Sequence, residues 1–123
     1  MKKIIFSFLG VILALGIFYG CDRQSDQAST DEIKIGVILG FTGPIESLTP
    51  TMASSAELAM KEVSDSGLLL GGASVSSVRA DSTCVDAGAA TSAAERLVTS
   101  DNVAAIMGAD CSGVTTAIAN NVA

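Results

Sequence analysis

Three cysteines and one short loop carry the residues able to do chemistry in this chain of 123 residues: Cys21, Cys84 and Cys111, and the run Gly108-Ala109-Asp110-Cys111-Ser112-Gly113. The chain has no histidine. That excludes a Ser-His-Asp triad, a Cys-His pair, HExxH helices and Cys/His zinc sites. No Cys-x-x-Cys occurs, so neither a metal nor a dithiol redox centre is implied. The loop joins a strand end, a small turn and a helix start, where free backbone N–H groups attract a carboxylate. In open α/β sheets ligands settle outside the carboxyl ends of the strands. Ser112 either adds a hydroxyl donor to an anionic group there or caps its own helix; its position allows both. A second loop, Gly40-Phe41-Thr42-Gly43-Pro44, is neither GxGxxG nor Gly-Lys-Ser/Thr and gives no support to a dinucleotide or P-loop site. Phe41 is the only aromatic residue after Cys21, and it reads equally as a pocket wall or a core plug.

Charge narrows the partners further. The formal net charge is −6, and the thirteen acids all lie at or after Asp22. From Cys21 onward five cations face those thirteen acids, a net of −8. No basic stripe is available to neutralise a run of phosphates, which excludes nucleic acid as a partner. The length bounds the chain at one small domain, which can still bury a core.

The N-terminus reads as an export signal. Met1-Lys2-Lys3 precedes a nearly unbroken apolar run from Ile4 to Phe18. A membrane-spanning helix needs about 20 apolar residues, so this shorter run fits a signal-peptide core over residues 1–20. Gly20-Cys21 follows, then the polar stretch Asp22 to Thr30. A small residue and a cysteine at the end of such a run resemble a bacterial lipobox. The resemblance implies cleavage before Cys21, lipid on its sulfur, and residues 21–31 as the lipid-bearing cysteine and flexible tether. Phe18 and Tyr19 depart from the lipobox pattern. An uncleaved anchor, or secretion with Cys21 as a bystander, is the other reading.

The remainder, residues 32–123, alternates between two periodicities. Ile33 to Leu39 (IKIGVIL) is a β-branched run suited to a strand buried on both faces. Thr49-Pro50 looks like an N-cap followed by proline at the first helical position. Met52, Ala56, Ala59, Met60 and Val63 then recur at helical spacing until Gly67. A second strand is expected over Ala73 to Asp81. Asp86 caps a second helix with Ala90, Ala93, Ala94, Leu97 and Val98 as its apolar face. Val103 to Met107 is a third buried strand, and Ser112 caps a third helix that runs to the last residue. The order β-α-β-α-β-α predicts an α/β fold with right-handed crossovers and a parallel sheet covered on both faces. Ala117 to Ala123 carries no Gly stop and no terminal polar tail, which reads as a truncated reading frame or one piece of a longer protein.

Cys84 and Cys111 form an even pair in an exported, oxidising setting. Each falls just past an expected strand, and parallel strands end on one rim, so the sulfurs can meet. Two unpaired buried thiols are the alternative. A bridge would stabilise the fold by about 3.5 kcal/mol on the chain-entropy model.

Taken together, IKIGVILGFTGPIESL, SAELAMKEV, ADSTCVD, AAERLV and VAAIMGADCSGVT resemble the start of a type I periplasmic binding protein. The nearest group is the branched-chain amino-acid (Leu/Ile/Val) substrate-binding proteins of ABC transporters. The resemblance runs from about Ile33 to the chain end. It implies two α/β lobes closing on a ligand, with this chain as part of the N-terminal lobe, and it supports a Cys84–Cys111 bridge. It also implies that Ser112 hydrogen-bonds the ligand carboxylate while the backbone at Asp110 and Cys111 lines the pocket. Leu48 stands where the family often has an aromatic wall, and the groups holding the ligand ammonium would lie beyond Ala123.

The function expected is therefore non-enzymatic: capture of a small amino-acid-like solute outside the cytoplasm and its delivery to an ABC permease, with lobe closure as the mechanism and no cofactor. The protein would be a periplasmic or cell-surface lipoprotein held at the membrane by its lipid. A sensor domain of the same fold and an exported α/β enzyme are the alternatives. Metabolic labelling with a radioactive fatty acid should mark the protein, and Cys21→Ser should abolish the label. Label persisting in that variant refutes lipidation at Cys21.

Overall fold

A computed structural model describes residues 31–123. The expected signal peptide, Cys21 and nearly all of the tether lie outside the described residues. The elements are β1 (Glu32–Leu39), α1 (Thr49–Ser66), a short 3-10 turn (Leu69–Gly71), β2 (Ser74–Asp81), α2 (Ala87–Thr99), β3 (Ala105–Gly108) and α3 (Ser112–Asn121). The three strands form one parallel sheet in the order β2-β1-β3. The expected β-α-β-α-β-α order holds, with element ends moved by a few residues and the 3-10 turn unanticipated.

β1 is the centre of the sheet, and its side chains alternate between two cores. Val37 and Leu39 pack with Ala53 of α1, while Ile38 packs with Ala80, Ala94 and Leu97 beneath α2. Ile106, Ala109 and Ile118 add to the second core from β3 and α3. Helices thus cover both faces, α1 on one side and α2 with α3 on the other. Gly36 to Leu39, the half of β1 buried on both faces, is apolar throughout, whereas Lys34 in the first half is exposed. Gly36 makes the α2 side fit: a Cβ there would stand 2.9 Å from a Leu97 methyl. The bare backbone lets Leu97 seat directly on the central strand.

Two expected faces shift. On α1 the stripe Met52, Ala56, Ala59, Met60 and Val63 is not the buried one. Thr49 and Ala53 are buried, Ala56 and Met60 half-buried, and Met52, Ala59 and Val63 exposed. Ala53 and Met60 pack on Val37 and Leu39 on that side, and polar bonds join α1 to β2 beside them. Glu57 takes Arg79 in a bidentate pair at 2.7 Å and 2.7 Å and accepts from Ser77 at 2.9 Å, while Val75 N–H donates to Ser64 at 2.8 Å. These bonds lie on the Glu57–Ser64 side of α1. On α2, Ala90, Ala94 and Leu97 are buried as expected, whereas Val98 is exposed.

Two helix ends are as expected and one differs. Asp86 caps α2 by accepting from the Ala89 N–H at 3.0 Å, and Gly67 ends α1 in the left-handed conformation that favours glycine. Thr49 is not a cap. It is the first residue of α1, follows Leu48 at the cap position, and is fully buried with its hydroxyl donating to the Gly40 carbonyl at 3.0 Å. A buried hydroxyl takes the nearest acceptor, and here that is the strand end rather than its own helix.

Leu97→Ala deletes a fully buried side chain over Gly36 and should cost about 2–5 kcal/mol in denaturant melts. Leu58→Ala, on the exposed side of α1, should stay within about 0.5 kcal/mol. Equal effects would contradict this packing.

Candidate functional site

Parallel strands place all three β-to-α loops on one rim: residues 40–48, 82–86 and 109–111. Every residue singled out from the sequence as a ligand contact lies on that rim, but the residues divide by what their side chains touch. Phe41 is half-buried and packs against the Val37, Leu39 and Ala53 core, with the Arg79 guanidinium 5.6 Å from its ring centroid. The contact gives Phe41 a core-packing role at the rim. Leu48 is 60% exposed at the start of α1, free to act as an apolar wall.

Cys84 and Cys111 form a disulfide, with their Cα atoms 5.3 Å apart. The bridge joins the 82–86 loop to the start of α3. Cys111, in extended conformation, is the cap residue of α3, and its side chain makes no capping hydrogen bond. Ser112 is therefore the first helical residue and not the cap. It is exposed, as is Gly113. The reason lies in the next turn: Thr115 Oγ1 turns back to the Ala109 and Cys111 carbonyls at 3.0 and 2.9 Å, and the Thr115 N–H bonds the Cys111 carbonyl. The N–H groups of Ser112, Gly113 and Val114 precede the first intrahelical bond and face outward from the helix end. With a hydroxyl beside them, they form an anion-accepting corner.

Asp110 stands just before this corner, yet its carboxylate points elsewhere. Its two oxygens accept from the Gly40 N–H at 3.2 and 3.0 Å, and Ser82 Oγ donates to one of them at 3.5 Å. Only its backbone is left to line a pocket.

Sequence reasoning missed Asp81. Its carboxylate accepts from the Thr42 hydroxyl at 2.6 Å, the Thr42 N–H at 3.3 Å and the Thr83 N–H at 2.8 Å. Burial pushes its pKa up, but the bond from the Thr42 hydroxyl, with those from backbone N–H groups, outweighs burial and holds it below the ordinary value. The Asp81–Thr83 bond is an Asx turn legible in Asp-Ser-Thr; the Thr42 contact, 39 residues away, is not. Gly43 completes this junction. Its φ is +96°, and a Cβ would stand 2.5 Å from the Thr83 carbonyl oxygen, so a side chain is excluded twice over.

A separate groove of about 490 Å³ runs along β3 and α3, lined by Val103, Ala105, Ile106, Ile118 and Val122 among others. It belongs to the outer edge of the sheet and shares no residue with the α3 corner beyond Thr115 and the adjoining Gly108 and Ala109. Among the described residues no cluster of acidic or cysteine side chains is arranged to hold a metal ion, and no helix is long and apolar enough to cross a membrane.

A family model described as periplasmic binding protein matches residues 32–123. The chain belongs to the periplasmic binding protein family. Two solved members are similar in both sequence and structure. A leucine binding protein, LivK, from Thermotoga maritima is 30% identical, with a TM-score of 0.61 over 72% of this chain and 24% of that one. The branched-chain amino acid transporter substrate binding protein LivJ from Streptococcus pneumoniae, solved with isoleucine, is 28% identical, with a TM-score of 0.66 over 74% of this chain and 26% of that one. A solute binding protein of an ABC transporter from Rhodopseudomonas palustris BisB5, in complex with 3,4-dihydroxy benzoic acid, shares the fold at 22% identity and TM-score 0.61, over 73% of this chain and 24% of that one. The parallel sheet with alternating helices is that of the type I periplasmic binding fold. The chain spans about a quarter of the length of these periplasmic binding proteins. No curated protein matches it.

Because the pKa of Asp81 is lowered on folding, its contribution to stability is complete above the unfolded-state value near 3.8. It is lost as the pH falls through the folded-state value. Denaturant melts should show the wild type more stable than Asp81→Asn at neutral pH, with the difference shrinking below about pH 3.8. A difference constant across that range contradicts the Thr42–Asp81 bond.

Proposed function

We propose that this chain is part of the N-terminal lobe of an exported receptor that binds a small amino-acid-like carboxylate and delivers it to an ABC permease. Family membership supports the class of protein, and the free first turn of α3 is the observation that carries the ligand chemistry. Ser112 is exposed at that turn, caps nothing, and stands beside unpaired backbone N–H groups. A carboxylate there receives hydrogen bonds from the Ser112 hydroxyl and the helix start, while the backbone of Asp110 and Cys111 forms the floor and Leu48 offers an apolar wall. Lys and Arg are not needed for such a site, because a helix start supplies its positive end through the backbone. Leucine and isoleucine, the ligands that the LivK and LivJ names carry, combine a carboxylate with an apolar body of this kind. Closure of a second lobe over the bound solute would trap it and mark the loaded state for the permease. Export, and anchoring by lipid on Cys21, belong to the same reading.

In the full-length protein, calorimetric titration with L-leucine, L-isoleucine and 3,4-dihydroxybenzoate tests the assignment. A hydrogen bond to a charged group contributes about 1.5–3 kcal/mol. Ser112→Ala should therefore weaken the best of the three ligands by about one to two orders of magnitude. The melting temperature should hardly move, since Ser112 makes no cap. Undiminished affinity in Ser112→Ala removes this residue from the site.

A further inference from the structure

We propose that Asp110 is a positioning residue for the anion-accepting corner. Its carboxylate, held by the Gly40 amide, fixes the first turn of α3 against the central strand and keeps a competing negative charge off that turn. The inference rests on reading the corner as a carboxylate site.

The chemistry of the position makes the bond matter. Asp110 immediately precedes the cap residue Cys111. An aspartate this close to a helix start is itself a good acceptor for the free N–H groups, since Asp is among the preferred capping residues and its charge suits the helix end. Released from Gly40, it would compete with an incoming carboxylate for the same donors or repel it. The structure holds it away: both oxygens lie within 3.2 Å of the Gly40 N–H, and Ser82 contributes a longer bond at 3.5 Å.

The bond also closes a triangle of loops. Asp81 ties the 40–48 loop to the end of β2 through Thr42. The Cys84–Cys111 bridge ties the 82–86 loop to the start of α3. Asp110 on Gly40 ties the start of α3 back to the end of β1. With this third side removed, the start of α3 keeps the disulfide and the packing of Ala109 and Ile118 but loses its hydrogen bond to the end of β1. Pre-organised donors bind without a further ordering cost, so a loosened corner binds more weakly even when every donor is present.

The test uses the full-length protein labelled with [15N]glycine, with L-leucine as the titrated probe. In Asp110→Ala the Gly40 amide should exchange at least about tenfold faster, the Gly113 resonance should shift, and L-leucine affinity should fall about tenfold. Asp110→Asn keeps an acceptor oxygen without the charge; it should restore Gly40 protection and bring affinity within about threefold of the wild type. Asp110→Ser replaces the alanine variant if that does not fold, with the same loss expected. Affinity unchanged in the alanine or serine variant, or Gly40 exchange unchanged, overturns the proposal. If the wild type takes no L-leucine, the ligand reading has failed for that solute, and the Gly113 resonance still decides the positioning: a shift in Asp110→Ala supports it and an unmoved resonance overturns it.

Discussion

Both backbone polar groups of Gly40 are taken by side chains from distant elements, and the carboxyl rim is assembled around that fact. Gly40 is the first residue past the central strand and is itself buried. A buried strand end leaves an N–H and a carbonyl that water cannot reach, and leaving them unpaired would cost on the order of 1–3 kcal/mol each. Asp110 accepts from the N–H and Thr49 donates to the carbonyl. The partners come from the loop before α3 and from the first residue of α1. Satisfying one peptide position therefore draws two other elements to the end of β1.

The same logic explains why this rim is built from carboxylates although nothing charged is expected to react there. Asp81 and Asp110 accept mainly backbone N–H groups and hydroxyls, from Thr42, Thr83, Gly40 and Ser82. They do what strand-to-strand bonds do deeper in the sheet, at points where the chain has left the ladder. Bonds from a charged acceptor are about twice as strong as neutral ones. The disulfide adds a covalent side to the same frame. The outcome is a set of three loops tied to one another beside the first turn of α3.

In the proposed reading, binding a small solute needs donors held in place and a wall of matching polarity. Charge recognition through a helix start also tolerates the acidic character of the chain, because the attraction is local to the helix end and decays within its first turn. The apolar groove along β3 stands apart from this, as a feature of the sheet edge.

Much of this architecture is written in local sequence. The apolar stretch Gly36 to Leu39 specifies a strand end buried on both faces, since polar alternation there would leave one face wet. Gly67 and Asp86 mark helix ends through backbone geometry and a side-chain cap that need only neighbouring residues. The parallel order, and with it the meeting of Cys84 with Cys111, follows from alternating strand and helix periods. What the sequence could not decide were contacts made across the fold. Thr49 and Ser112 both look like caps, because capping is the local use of a hydroxyl. Burial at the strand end gave Thr49 a different partner, and the extended Cys111 took the cap position that Ser112 would have filled. Phe41 had two local readings, and its contact with the Val37–Leu39–Ala53 core and with Arg79 comes only from the fold. The buried face of α1 goes with Ala53 and Met60 packing on β1 and with Glu57 and Ser64 bonding to β2, contacts that no helical periodicity within α1 contains. Each of these was settled by where a polar or apolar group could find its partner once the strands were side by side, and only the tertiary structure supplies that distance.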